Sequence, residues 1–236
     1  MKLIFDAHMH TVASGHAYST ILENAEYAKK NGLKVIAITD HAHGMPGGAH
    51  PWHFWNLRNI PREINGVVVL TGVESNILNS RGDLDIDLLE DYSGLEVVIA
   101  SIHGGVYEGS SKEENTQAYI NAIMRKNINI IGHPDDVRFD FDIDKVVKVA
   151  KEYNVLVEIN DASQRMGRSN KERTKEILES CKRNNAQIVC SSDAHIALDV
   201  GNFRKITPIL KEVKFPEELI INSSKEKVLE FFKINY

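Results

Sequence analysis

The sequence has little cysteine, no long hydrophobic run and no recognisable export signal. Its 236 residues include two cysteines, Cys181 and Cys190, which are too few for a disulfide framework and suit a reducing compartment. No run of about 18 apolar residues is present, so no membrane span is predicted. Residues 1–6 lack the basic and apolar regions of a signal peptide. We therefore expect a cytoplasmic protein.

Positive charge is also scarce, which excludes a class of partner. The chain has 28 Lys and Arg against 33 Asp and Glu, a net charge of −5. Proteins that bind duplex nucleic acid displace counterions with clustered Lys and Arg, and no such basic stripe is present. At 42% hydrophobic residues the composition is that of a globular protein. The unusual feature is the number of histidines, which is ten.

Short β-branched apolar runs recur about every 30 residues, which is the length of one βα unit. Such runs predict strands that are buried on both faces, as in a parallel sheet. Helical patterns separate them, and the first ends at Gly32, a plausible cap. The predicted strands are 3–5, 35–38, 67–70, 97–100, 128–131, 155–159, 186–190 and 219–221. The predicted helices are 20–31, 112–126, 144–153, 170–184 and 224–233, and residues 42–56 and 80–87 are irregular.

A regular βα series fits either an open doubly wound sheet or a closed βα barrel. In an open sheet the reactive residues collect at one switch point, whereas in a barrel they follow strands all around the rim. Here histidines and acidic residues follow almost every predicted strand. This placement favours a barrel, formed as a single domain over residues 1–236, and the open sheet is the alternative.

Seven histidines and two carboxylates lie at or just after the predicted strand ends. Because side chains at i and i+2 point the same way in an extended chain, His8 and His10 share a face, as do Asp193 and His195. Imidazole nitrogens and carboxylate oxygens are ligands for Zn²⁺, Mn²⁺ and Fe²⁺. The candidate metal ligands are His8, His10, His16, His41, Glu74, His103, His133, Asp193 and His195. Nine ligands are too many for one tetrahedral ion, so the pattern predicts a cluster of two or three.

Glu74 is the natural bridging ligand of such a cluster, since the two oxygens of a carboxylate can hold ions ~3.5–4 Å apart. Taken singly, each histidine is more typical of a hydrogen-bonded loop residue, and it is their joint pattern that predicts a metal site. A rival interpretation is a nucleophilic triad formed by Ser191 or Ser192 with Asp193 and His195. A triad normally gathers separated segments so that base and nucleophile face each other, which this short run does not favour.

Three further histidines lie in the irregular segment 42–56, together with two tryptophans. The segment either covers the site or is a long loop that these residues anchor. Cys190, by contrast, lies inside a predicted strand and is expected in the core. The loop residues concerned are His43, His50, His53, Trp52 and Trp55.

The motifs at the strand ends resemble, in order, those of the polymerase-and-histidinol-phosphatase (PHP) superfamily. The extension His16-Ala17-Tyr18-Ser19 resembles the small stand-alone phosphatases of that superfamily. The likeness covers nearly the whole chain. The matching motifs are Asp6-Ala7-His8-Met9-His10-Thr11, Ile38-Thr39-Asp40-His41, Gly72-Val73-Glu74-Ser75-Asn76, Ser101-Ile102-His103, Gly132-His133-Pro134-Asp135 and Ser191-Ser192-Asp193-Ala194-His195.

The resemblance implies a distorted TIM-like barrel of seven βα units with three divalent ions, usually zinc or manganese and sometimes iron. Since eight strand-like runs are present, it also implies that residues 219–221 lie outside the barrel. Residues 160–168 depart from the pattern of close relatives, which leaves the substrate open. The implied ligand groups are His8, His10, Glu74 and Asp193 for one ion, Glu74, His103 and His133 for a second, and His16, His41 and His195 for a third.

We therefore expect metal-dependent hydrolysis of a small phosphate monoester. Bound ions would neutralise phosphoryl charge and lower the pKa of a water toward about 7, so that hydroxide attacks phosphorus. Arg165 or Arg168 could bind a phosphate oxygen, or either could be a surface residue.

Three alternatives to a monoesterase remain open. A phosphodiesterase or exonuclease could use the same cluster, although no basic, aromatic track for a single strand is evident. The chain could also be a catalytically silent metal-binding interaction module. An amidohydrolase would share the barrel, but no lysine lies at a predicted strand exit. No duplex nucleic acid or membrane partner is expected, and homo-oligomers are possible.

Overall fold

The computed structural model, which describes residues 2–86, 94–109, 111–125 and 127–236, is a parallel α/β barrel. Within these residues seven strands pair in parallel in the order β1–β2–β4–β5–β6–β7–β8, and β3 pairs antiparallel with β4. The predicted strand positions are confirmed, apart from the last run. The strands are β1 Phe5–Asp6, β2 Val35–Ile38, β3 Glu63–Ile64, β4 Val67–Asn76, β5 Val97–Ser101, β6 Ile130–Ile131, β7 Leu156–Asn160 and β8 Ile188–Ser191.

Helices follow the strands and cover the outside of the barrel. In α1, the Thr20 hydroxyl accepts from the Glu23 amide while the Glu23 carboxylate accepts from the Thr20 amide, which satisfies two otherwise unpaired donors. Gly32, just after this helix, has a φ of 76°, so the predicted cap is confirmed. The five predicted helices are confirmed within a few residues, although Lys126 lies outside the described residues. The helices are α1 Ile21–Lys30, α2 Pro51–Asn56, α3 Lys112–Ile123, α4 Ile143–Glu152, α5 Asp161–Arg165, α6 Lys171–Asn184, α7 Ile206–Glu212 and α8 Lys225–Phe231.

Four of the short strands and α-helices were not predicted, namely β3, α2, α5 and α7. Helix α2 lies inside the segment predicted to be irregular, and α7 contains Pro208 in its first turn, where a missing N–H costs little. The β3–β4 hairpin turns at Asn65 and Gly66, whose φ angles are 55° and 83°. An Asn-Gly pair with two positive φ angles is the usual two-residue hairpin turn, so this signal was present in the sequence. Asp87, the end of the second irregular segment, lies outside the described residues.

The barrel is nearly closed between β1 and β8, so the open-sheet alternative is wrong. A parallel bridge joins Met9 to Ala194 just beyond the two strand ends. Deeper in the seam, the Asn222 side chain accepts from the Cys190 amide and donates to the carbonyls of Cys190 and Phe5, each at 2.8 Å. The side-chain amide of Asn222 therefore takes the place of a peptide group between the two strands.

The eighth predicted strand is wrong. The structure has 3₁₀ turns at Glu217–Leu219 and Ile221–Ser223, with one bridge between Ile188 and Ile220. Ile221 is buried in the apolar cluster inside the barrel, whereas Leu219 and Ile220 pack with the outward-facing cluster. The run is therefore buried although it pairs with the sheet through one bridge alone among the described residues.

Inward-facing side chains form two layers inside the barrel. The lower layer, at the amino-terminal ends of the strands, is apolar and is capped by Val228 of α8 and by Phe232, which follows that helix. It consists of Phe5, Ala7, Val35, Ala37, Val68, Leu70, Val97, Ile99, Ile130, Leu156 and Val189. The upper layer, at the carboxyl ends, carries the candidate ligands. Alternate residues such as Ile36, Ile38, Val69 and Val157 face outward and pack under the helices.

Both cysteines are free and buried. Cys190 belongs to β8 and to the outward-facing hydrophobic cluster, which confirms its prediction as a core residue. Burial raises the pKa of the Cys181 thiol to about 12. In the described ranges, no helix has both the length and the apolar character needed to cross a membrane. The extent of the domain, residues 1–236, stays a prediction.

Candidate metal centre

The nine predicted residues converge at the carboxyl ends of the strands. They follow β1, β2, β5, β6 and β8 or lie near the end of β4, and seven of them are at most 7% exposed. Gly132 lets the backbone after β6 lie close to the end of β5, because a Cβ at this position would lie 2.0 Å from the Ser101 Oγ. The seven buried candidate ligands are His8, His10, His41, Glu74, His103, His133 and Asp193. The two more exposed candidates are His16 and His195.

The first group of donor atoms lies around His8 and His10. The His8 Nε2 is 3.1 Å from the His10 Nε2 and 3.3 Å from the Glu74 Oε2. The His10 Nε2 is also 3.3 Å from the Asp193 Oδ1. Ligands bound to a tetrahedral zinc ion at 2.0–2.1 Å are separated by about 3.3 Å. These atoms therefore have the spacing of a coordination shell.

The second group lies on the other oxygen of Glu74. The Glu74 Oε1 is 3.0 Å from the His133 Nε2 and 3.2 Å from the His103 Nε2. The two Nε2 atoms are themselves 3.2 Å apart. Glu74 thus faces one donor group with each carboxylate oxygen, as a bridging ligand must.

The third group is less compact and overlaps the first. The His16 Nε2 and His41 Nε2 lie 3.2 Å apart, and the His195 ring is centred 4.9 Å from that of His16. Ring nitrogens of His10, His41 and His195 also converge. The Nδ1 of His41 lies 2.7 Å from the Glu74 Oε2, yet neither buried atom has an aligned hydrogen bond. Both atoms are therefore available to a cation.

The electrostatics of the cluster favour ionised carboxylates and divide the imidazoles into two groups. Burial opposes protonation of His8 and His133, but contact with the Glu74 carboxylate outweighs it and raises the pKa of both rings. Burial and the nearby charge of His41 lower the pKa of His10 to about 3, and the same two causes lower the pKa of His16. Burial alone would raise the pKa of Glu74, but the positive potential of His8, His103 and His41 holds it well below its usual range. Neutral imidazole and ionised carboxylate are the forms that bind metal.

Hydrogen bonds behind the ligands orient several of the rings. The His103 Nδ1 is 2.7 Å from the Asn76 Oδ1, and Asn76 is in turn hydrogen-bonded to Asp85. On the opposite side, the Ser14 hydroxyl contacts the His10 Nδ1 at 3.4 Å and donates to the Asp40 Oδ1 at 2.7 Å. These contacts leave the Nε2 atoms directed into the site.

Glu158 is a buried residue of the site that the sequence analysis missed. Its carboxylate lies 2.8 Å from the His8 Nδ1 and accepts from the His133 amide at 2.5 Å. The signal was present, because Glu158 is a lone acidic residue in an otherwise apolar strand. It lies two positions after Leu156 and therefore faces the barrel interior.

A pocket of about 280 Å³ opens above the cluster. Beside candidate ligands its wall includes Met45, Ala162, Arg165, Met166, Arg168 and Asp199. Arg165 is held by Asp161, Asp199 and the Ser192 carbonyl at 2.8–3.0 Å. Arg168 donates to the Asp193 Oδ2 at 2.9 Å, and its buried Nε has no partner. Both candidate arginines thus line the pocket, but they differ in how many of their donors are engaged.

The structure does not support the nucleophilic triad. Ser191 and Ser192 are fully buried, and neither hydroxyl has a hydrogen-bond partner. A triad requires the nucleophile to contact its base.

Two histidines of the irregular loop make structural contacts, one within the loop and one outside it. The His50 Nδ1 accepts from the Trp52 amide at the start of α2, and the His53 Nε2 lies 3.1 Å from the Asp40 Oδ2. His43, Trp52 and Trp55 are exposed. His53 thus anchors the loop to Asp40 and His50 caps α2, whereas a covering role for the loop stays a prediction.

Comparisons with known proteins agree with this architecture. A family model described as the PHP domain matches residues 6–162. A protein named a probable phosphatase from Photobacterium profundum is 44% identical over 234 residues, covering 99% of this chain and 95% of that protein. Another so named, from Clostridium novyi, is 42% identical over 99% of this chain and 96% of that protein.

A solved structure has the same fold. It is histidinol phosphate phosphatase from Lactococcus lactis, complexed with zinc, L-histidinol and phosphate. The TM-score is 0.64 at 21% sequence identity, covering 90% of this chain and 94% of that one.

Proposed function

This chain belongs to the PHP domain family, and from that membership and its donor cluster we propose that it is a metal-dependent phosphatase that cleaves phosphate monoesters. The observation that carries the proposal is the convergence of nitrogen and oxygen donors on both oxygens of Glu74, at 3.0–3.3 Å. Such spacing suits divalent ions, and a shared carboxylate suits ions that act together.

We propose three ions, and the residues present fit them. His8, His10, Glu74 and Asp193 would hold one ion, Glu74, His103 and His133 a second, and His16, His41 and His195 a third. Divalent zinc or manganese would supply Lewis acidity toward the phosphoryl group and a water of lowered pKa. The protein's own contribution is to hold these donors in place, since the hydrogen bonds of Asn76 and Ser14 orient the rings of His103 and His10.

Arg168 is the better candidate to bind a phosphate oxygen. Three acceptors already hold Arg165, whereas Arg168 makes one contact and has a buried Nε without a partner. A guanidinium can offer two parallel donors to a phosphate. Arg168 would therefore bind the phosphoryl group beside Asp193, and Arg165 would support the pocket wall.

The pocket supports a small substrate. Its volume of about 280 Å³ lies just below the usual range for small-molecule sites. Met45, Ala162 and Met166 give part of its wall an apolar surface, which would contact the leaving group. A cytoplasmic location and the possible formation of homo-oligomers stay predictions.

The decisive experiment combines elemental analysis with activity before and after chelation. We expect purified protein to contain divalent metal and to hydrolyse p-nitrophenyl phosphate. Chelation should abolish turnover, and restored metal should recover it. Bis(p-nitrophenyl) phosphate is the matched diester, and a strong preference for it would overturn the monoesterase proposal in favour of a phosphodiesterase. Metal-replete protein that hydrolyses neither ester, nor any of a panel of small phosphate monoesters, would indicate a silent metal-binding module.

A further inference from the structure

Glu158 lies beneath two candidate ligands that belong to different donor groups. It is in the middle of β7 and is fully buried. One carboxylate oxygen is 2.8 Å from the His8 Nδ1, and the other accepts from the His133 backbone amide at 2.5 Å. The side-chain amide of Asn160 also donates to this second oxygen of Glu158, at 3.2 Å, and lies 3.3 Å from the Asp193 Oδ2.

The contact with His8 determines which ring nitrogen faces the site. A carboxylate can only accept, so the Nδ1 of His8 must carry the proton. The lone pair of the neutral ring is then on Nε2, which lies 3.1 Å from the His10 Nε2 and 3.3 Å from the Glu74 Oε2. Glu158 therefore selects the tautomer of His8 that can bind metal.

The contact with His133 acts on the backbone. His133 has a φ of 25°, a backbone region that non-glycine residues adopt only when the surrounding structure holds them there. The hydrogen bond from its amide to Glu158 helps to hold this conformation. In that conformation the His133 Nε2 lies 3.0 Å from the Glu74 Oε1.

We propose that Glu158 is a positioning residue that holds His8 and His133 in place as ligands of two neighbouring metal ions. This inference rests on the proposed metal-dependent function. Glu158 touches neither the pocket nor the Nε2 atoms of the ligands, so it acts through the two histidines.

Only a carboxylate can serve both histidines at once. Glutamine has the same shape but one acceptor oxygen. If its oxygen faced His133, its NH₂ group would face the His8 Nδ1 and favour the tautomer whose Nε2 carries a proton. If the oxygen faced His8, the NH₂ group would oppose the His133 amide. Either arrangement impairs one ligand.

The test is Glu158→Gln, with Asp135→Asn as the matched control. Asp135 is also fully buried, follows the neighbouring strand β6, and is hydrogen-bonded to Thr174 rather than to a ligand. Metal-free protein is titrated with Zn²⁺ against a chromophoric chelator, and folding is checked by circular dichroism. We expect Glu158→Gln to bind zinc about 10–100-fold more weakly, the usual effect of losing such a partner. Asp135→Asn should match the wild type.

Equal zinc affinity in folded Glu158→Gln and wild-type protein would overturn the positioning role and leave the phosphatase proposal intact. Weaker zinc binding by the variant would support the positioning role of Glu158. If the wild type then binds zinc but hydrolyses no monoester, the positioning role is retained and the phosphatase proposal is contradicted. If Glu158→Gln does not fold, nitrogen NMR of zinc-loaded wild type decides. We expect the His8 Nδ1 to be protonated and its Nε2 bound to metal, and the opposite arrangement would contradict the inference.

Discussion

The lower and upper layers of the barrel interior come from the same strands but have opposite chemistry. In β4, Leu70 and Glu74 both face inward, and in β7 so do Leu156 and Glu158. Below, the side chains are apolar and closely packed. Above, five of the seven candidate histidines and both candidate carboxylates are also buried.

This difference in polarity separates the part of the barrel interior that contributes to stability from the part that carries the candidate metal ligands. Apolar burial in the lower layer is worth roughly 25 cal/mol per Å² and needs no partner beyond the neighbouring side chains. Buried charges in the upper layer are unfavourable unless they are compensated, and the proposed cations would compensate them. We therefore expect changes above to act on metal and activity, and changes below to act on stability.

The largest expected effect is that of Glu74→Gln in the upper layer. The change removes the charge shared by two donor groups while keeping the side-chain volume. Losing several kcal/mol of transition-state stabilisation, at 1.36 kcal/mol per factor of ten, predicts a loss of kcat/KM of about a thousand-fold or more. Elemental analysis should show fewer ions per chain. A variant that keeps both its metal content and its turnover would contradict the expectation that changes in the upper layer act on metal binding and activity.

The counterpart in the lower layer is Leu70→Ala. Leu70 is fully buried, and removing such a side chain costs about 2–5 kcal/mol of unfolding free energy. Urea denaturation measures this loss. Metal content and kcat/KM should stay near wild-type values at a temperature where the variant is folded. Loss of metal from the folded variant would show that the two layers are not independent.

Metal removal should destabilise the protein through the upper layer alone. Ions that bind only the folded state stabilise it by about 2.7 kcal/mol at a free concentration of 100 times Kd. Thermal unfolding with and without chelator should show this shift in wild type and in Leu70→Ala. In Glu74→Gln, chelation should change the melting temperature by a smaller amount. An unchanged melting temperature in chelated wild type would contradict the proposed cluster.

The smallest effect is expected on the outer surface, which serves as the reference for both layers. Hydrogen bonds from Ser180 and Arg183 lower the pKa of Asp144 to about 2. Because the folded pKa lies below the ordinary value of 3.8, the contribution is present above about pH 4 and is lost as the pH falls toward 2. Asp144→Asn should cost no more than about 1 kcal/mol at pH 7, since solvent screens the pair.

Urea titrations of Asp144→Asn and wild type at pH 7 and pH 2.5 check this expectation. The difference in unfolding free energy between the variant and the wild type should be smaller at pH 2.5 than at pH 7. A constant difference would mean that the charge of Asp144 does not contribute to stability.

The sequence was sufficient for the barrel and for the convergence of the nine residues. A run such as 67–70 shows where a strand lies, and the residues just after its end must lie at the rim. The motifs around His8 and Asp193 could be read without coordinates, because an i, i+2 pair shares a face whatever the rest of the fold. Residues 219–221 are the exception, since a buried apolar run in consecutive turns has the same composition as a strand.

Periodicity along one strand determined which side chains enter the barrel, since alternation is a local property of the backbone. Distances between strands were decided only by tertiary structure, because they depend on register and on how the barrel closes. Thus Asn222 completes the seam, Glu158 spans His8 and His133, and Arg168 rather than Arg165 keeps an unpaired donor beside the pocket. The contacts of Asn222 and Glu158 join segments far apart in the chain, and no local pattern encodes such a distance.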